Sequence, residues 1–185
     1  WRLFGEGKFL EPFSASVIDR HWSYNHEHPA LVKTTMALSW LWLKENLGLF
    51  SLHSSAIRFP AWCFAGLSVG LVYLLARAML PRRTSLLAAA LWLSMPRAYW
   101  HMHLACFDIA VCAAHLWLVL AYLRCRFSTG GAVIIAAAFA LAAAVKHNVL
   151  VAPAFFVLHW GLTEARGYAA RTTGFPESVV GTGFW

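Results

Sequence analysis

The stretch Asp108-Ile109-Ala110-Val111-Cys112-Ala113-Ala114-His115-Leu116-Trp117-Leu118-Val119-Leu120-Ala121-Tyr122-Leu123-Arg124 decides how this chain is read. An acid opens it, an arginine closes it, and no Asp, Glu, Lys or Arg lies between. Apolar residues would cover the whole circumference of a helix formed here, leaving no polar stripe for water. Asp108 is the only carboxylate between Glu45 and Glu164. A carboxylate at the border of lipid-spanning sequence is costly unless it is paired or faces water, which makes Asp108 a functional-site candidate from the outset.

Similar runs lie on both sides, so that five apolar segments follow Arg58: 59–78, 85–100, 109–123, 132–145 and 149–162. Several are shorter than the ~20 residues of an ideal span. Flanking Trp, Tyr and Arg side chains that snorkel to the interface extend their reach. The chain is 60% hydrophobic and 12% charged, with a mean hydropathy of +0.59. A soluble domain would carry about 25% charged residues. These features predict an all-α, polytopic helix bundle in a cell membrane. The net charge of +7 does not point to nucleic acid, because the arginines sit in short clusters between apolar runs rather than along one face. Cys63, Cys106, Cys112 and Cys125 show no CxxC spacing and are read as small hydrophobes.

The joints between segments alternate. Arg77, Arg82 and Arg83 fill the first, Arg124 and Arg126 the third, and Arg166 and Arg171 follow the fifth. The second and fourth carry His101, His103 and Asp108, then Lys146, His147 and Asn148, with Arg97 and Lys146 as exceptions to a clean charge pattern. The positive-inside rule puts the arginine joints in the cytoplasm and the others outside. Asp108, Lys146, His147 and Arg58 therefore share the extracytoplasmic side. By the same count, residues 1–57 form an extracytoplasmic loop with an interfacial helix at about 30–47, residues 58–163 the five spans, and 164–185 a cytoplasmic segment. The apolar run 34–43 is too short to cross, and Trp40 and Trp42 suit headgroup depth. The chain begins at Trp1 without an initiator Met or a signal-peptide pattern, and is expected to be a piece of a longer polytopic protein.

Two groups of residues carry chemistry. Lys146 and His147 offer a point charge and a neighbouring donor for a phosphate, to which Arg58 adds a planar fork. The loop Asn25-His26-Glu27-His28-Pro29 holds three ionisable side chains ahead of the interfacial helix, and Pro29 suits a helix start. A divalent metal near His26 and Glu27 would need further donors, for which His101 or His103 are candidates. Alternatively, His101 and His103 are interfacial anchors. No Walker loop, GxGxxG or Ser-His-Asp spacing occurs.

Asn25-His26-Glu27-His28-Pro29-Ala30-Leu31, a short interfacial helix and then Ala56-Ile57-Arg58-Phe59-Pro60 resemble the membrane glycosyltransferases of the GT-C fold. More narrowly, they look like the protein mannosyltransferase and aminoarabinose transferase group, family 39 and its relatives. Members show a Glu-Lys-Pro-Pro-Leu or His-Pro-Pro-Leu loop, then Arg-x-Pro, then an aspartate opening a later helix, matched by Cys106-Phe107-Asp108-Ile109-Ala110. A Thr-Lys-Gly-like turn follows, matched loosely by Val145-Lys146-His147-Asn148. Each motif is short; their order and common sidedness carry the resemblance, up to about Leu162. His28 stands where many relatives have lysine, and Ala30 replaces a second proline.

The resemblance implies transfer of a sugar from a polyprenyl-phosphate donor to a lipid, glycan or protein acceptor at the outer membrane face. Arg58, Lys146, His147 and His28 would hold the donor phosphate. The family's catalytic acidic pair would fall just before Trp1, which leaves Asp108 as a substrate-orienting carboxylate and Glu27 as a weaker candidate. No cofactor is expected beyond the divalent ion considered above. The rival reading from residues alone is a transporter or channel-like protein with an Asp108/Lys146 relay.

Overall fold

Proline and glycine punctuate a chain that otherwise forms helix almost everywhere. The computed structural model describes residues 6–8, 10–11, 14–21, 29–125 and 129–173. Among these, all regular structure is helical. A short α1 (Ala15–His21) precedes α2 (Ala30–Ser39), which runs directly into a π-helical segment, Trp40–Asn46. There follow α3 (His53–Arg77), α4 (Arg82–Ser94), α5 (Pro96–Met102), α6 (Asp108–Cys125), α7 (Thr129–Val145), a 3-10 turn (His147–Val151) and α8 (Ala152–Thr173). Pro29 and Pro81 stand immediately before α2 and α4, where a missing N–H removes no helical bond. Two residues past the π-helical segment stands Gly48, whose φ of 63° is the left-handed conformation that glycine adopts without a Cβ clash.

The apolar segment 85–100, read from the sequence as one span, is two helices. Met95 is extended (φ −63°, ψ 122°) and Pro96 opens α5. A proline disfavours helical backbone in the residue before it and cannot donate to the preceding turn, so the run breaks there. With 13 residues, α4 is about 20 Å long at 1.5 Å per residue. The run 149–162 also differs, because its first turn is 3-10 and its helix continues to Thr173. Among the described residues, two helices, α3 and α6, are long and apolar enough to cross a membrane, and Gly130–Val145 is a shorter apolar helix. Of their most apolar windows 28% and 39% is buried, and the rest is half-buried or exposed.

The packing fixes which helix ends lie together. Trp92 of α4 donates its indole N–H to Ser68 of α3 at 3.0 Å, as expected where a four-residue joint turns α4 back along α3. Ile109, near the start of α6, packs with Ala61 and Ala65, toward the middle of α3, and with Ala98 and Met102 of α5. Since α4 runs back along α3 and delivers α5 and the start of α6 to the Ala61–Ala65 level, α6 runs in the same direction as α3. The largest core unites Ala110, Ala114, Leu118 and Ala121 of α6 with Ala138, Ala142 and Val145 of α7, and Val32 of α2 and Val149 join it. Alanines on both helices allow close backbone approach. Helix α8 is pinned by Tyr122 of α6, whose ring stacks on Phe156 at 4.2 Å between centroids and whose hydroxyl lies 3.0 Å from both the Phe156 carbonyl and His159 Nδ1.

This order gives the bundle two unlike ends. The first turn of α6, the last turn of α7, α5 and the N-terminal half of α3 share one end. Arg77, Arg82, Arg83 and Arg124 mark the other.

Candidate functional site

Helix α6 begins at the charge-rich end, and its first residue is Asp108. An acid in a first turn is favoured by the unpaired N–H groups and the positive end of the helix dipole. Five residues connect it to α5, and that short connection folds the last turn of α5 back toward the carboxylate. His101 Nδ1 comes within 3.1 Å of Asp108 Oδ2. Because the carboxylate accepts, Nδ1 carries the proton, which leaves Nε2 as the lone-pair nitrogen of the neutral ring. The pair is reachable by solvent, with side chains 26% and 53% exposed.

Cys106 completes the cluster. Its Sγ lies 3.5 Å from His101 Nδ1 and its thiol donates to the His101 carbonyl at 3.6 Å. Burial pushes the Cys106 thiol above its ordinary range. The Asp108 charge adds to that shift, while the backbone N–H groups of Asp108 and Ile109 oppose it. His103 takes no part: its Nδ1 donates to the Tyr99 carbonyl at 2.7 Å, and its ring lies 4.4 Å from that of Tyr99.

The cations gather at the same end without touching Asp108. Arg58 is exposed on the second turn of α3. Lys146 is half-buried and extended (φ −160°, ψ 136°) between α7 and the 3-10 turn, and His147 is exposed. Among the described residues, none of these three forms an ion pair. Asp108 pairs with His101 and not with Lys146 among the described residues. His26, Glu27 and His28 lie outside the described residues.

Two participants escaped the sequence reading. Cys106 was grouped with inert cysteines, although it precedes Asp108 by two residues in a segment too polar and short to be a span. Lys33 of α2 lies 6.0 Å from the Phe107 ring centroid, within cation–π range, beside the same helix start. Its signal was a lone cation inside an apolar helical stretch.

A groove of about 400 Å³ runs between α2, its π-helical extension and α3, lined chiefly by Leu38, Trp42, Leu43, Phe59, Pro60 and Phe64. Two of these follow Arg58 directly in sequence.

Comparison of the chain with protein-family models, curated proteins and solved structures finds no match.

Proposed function

We propose that this chain forms part of a polytopic membrane glycosyltransferase that moves a sugar from a polyprenyl-phosphate donor to an acceptor on the extracytoplasmic face. The observation that carries the reading is the gathering of Arg58, Lys146, His147 and Asp108 at one end of a bundle whose other end bears arginines. Such a division of charge suits a membrane protein with its chemistry on one side. The outward-facing apolar side chains of α4, α7 and α8, including Leu87, Val133, Phe155 and Val157, suit contact with lipid.

A lipid-phosphate donor needs cations at headgroup depth and an apolar surface for its chain. Arg58, Lys146 and His147 supply the first, and the groove beside Arg58 supplies the second. As the bond to the anomeric carbon breaks, charge grows on the leaving phosphate, where fixed cations stabilise it most. Asp108, oriented by His101, holds the acceptor or the sugar through hydrogen bonds. The base that deprotonates the acceptor hydroxyl is a carboxylate supplied from outside the described residues, with Glu27 a weaker candidate. An Asp108/Lys146 transport relay has less support, since the two do not pair.

The test is release of polyprenyl phosphate from a radiolabelled polyprenyl-phosphate sugar by the protein in its native membrane. Arg58→Ala should weaken donor use strongly. Membranes that bind the donor yet release no carrier phosphate, with any acceptor fraction, would sink the proposal.

A further inference from the structure

We propose that His101, Cys106 and Asp108 form a binding site for a zinc ion at the start of α6, an inference that does not depend on sugar transfer. His101 Nδ1 stands 3.1 Å from Asp108 Oδ2 and 3.5 Å from Cys106 Sγ, and all three atoms lie within 4.8 Å of one another. Donors around tetrahedral zinc, at bond lengths of about 2.0–2.3 Å, are roughly 3.3–3.6 Å apart. Two edges of the donor triangle are therefore close to the length the ion requires.

The donor types choose the metal. A thiolate and an imidazole favour zinc over magnesium or calcium, which prefer all-oxygen sites. One carboxylate and one thiolate also cancel the charge of a divalent ion. That balance matters because Ile109 and Ala110, next along the chain, are fully buried in apolar cores. Three protein donors and a solvent-exposed side leave a fourth position for water, the arrangement of zinc sites that act on ligands rather than only brace a fold.

Binding balances simply. Cys106 releases its thiol proton to solvent, the imidazole proton moves from Nδ1 to Nε2, and Asp108 keeps its charge, so one proton leaves per ion bound. The N–H groups of Asp108 and Ile109 that face Cys106 then support the bound thiolate. His103 stands outside the group of donor atoms that lie within 4.8 Å of one another.

The chain purified in detergent is titrated with Co2+, whose bond to a thiolate gives a near-ultraviolet charge-transfer band, and Zn2+ or Mg2+ is then added in competition. One equivalent of band is expected, bleached by Zn2+ and untouched by Mg2+. It should vanish in Cys106→Ser, persist in Cys63→Ser and Cys112→Ser, and require roughly tenfold or more Co2+ in Asp108→Asn. Absence of the band from the unaltered chain, or its survival in Cys106→Ser, overturns the site. Should Cys106→Ser fail to fold, alkylation of the unaltered chain decides the matter peptide by peptide. Zn2+ should slow modification of Cys106 about tenfold or more and leave exposed Cys63 unchanged; equal rates with and without Zn2+ overturn the proposal.

Discussion

Ser39 donates its hydroxyl to the Ala56 carbonyl at 2.6 Å, and that carbonyl is the one Pro60 leaves without a helical partner. In α3 the N–H of residue 60 would reach back four residues to Ala56, but proline has none. Ala56 is fully buried and Ser39 is 7% exposed. A serine from α2 thus satisfies a defect in α3, and the two helices are joined at the turn that carries Arg58.

Removing that donor should be costly. Ser39→Ala leaves a buried carbonyl unsatisfied, a loss of about 1–3 kcal/mol in unfolding free energy. Pro60→Ala restores the helical N–H, so the same serine change should cost much less in that background. Reversible unfolding in mixed micelles measures all four members of the cycle. Additive losses would mean that Pro60 and Ser39 do not share the carbonyl.

The thiol of Cys106 supplies a pH test. Burial and the Asp108 charge hold its pKa above the ordinary value, so in the folded protein it should resist alkylation until the medium is more alkaline than an unfolded thiol requires. Asp108→Asn removes one of the raising causes and should move the alkylation profile to lower pH. The sign for stability follows. The unfolded chain loses this proton first as pH rises, so the contribution of Cys106 is intact below the ordinary thiol range and falls away above it. An unchanged profile in Asp108→Asn, measured by pH-dependent labelling of the Cys106 peptide, would separate the two groups.

The helical class and the positions of the charged joints were legible because apolar runs and arginines are local features. What failed was the geometry inside a run. Pro96 stands in plain view, yet counting apolar residues from 85 to 100 passes over it. The backbone cannot: Met95 turns extended and the helix ends. Cys106 was misread for a different reason. Its value depends on the connection after α5 folding back so that His101 meets Asp108, and neither hydropathy nor periodicity reports that turn. Lys33 meets Phe107 only because α2 docks at the start of α6, which rests on the Ser39 bond and on Val32 in the shared core.

Sidedness can be measured directly. The start of α4 and the end of α7 lie at opposite ends of the bundle, so a single cysteine at position 82 should be shielded from an impermeant thiol reagent in intact cells, and one at 146 should be labelled. The background is the chain with Cys63, Cys106, Cys112 and Cys125 replaced. Labelling at 82 and protection at 146 would invert the orientation and remove the basis for an extracytoplasmic phosphate site.

The charge at Lys146 separates catalysis from neutralisation. Fixed beside a departing phosphate, it should strengthen its contact as negative charge develops, and Lys146→Ala should lower turnover on the order of 10²-fold. Asp108→Asn should also slow turnover while leaving donor binding nearly unchanged, because the carboxylate engages His101 rather than the phosphate. If the two residues only cancelled each other's charge, replacing both as Asp108→Asn with Lys146→Met would restore what each single change removes. The geometry argues otherwise: Asp108 is 3.1 Å from His101, and Lys146 forms no ion pair among the described residues. The double variant should therefore fold, as judged by helical circular dichroism, and remain at least as slow as the slower single variant in the carrier-release assay. Near-normal turnover in the double variant would show that neither charge acts on the donor.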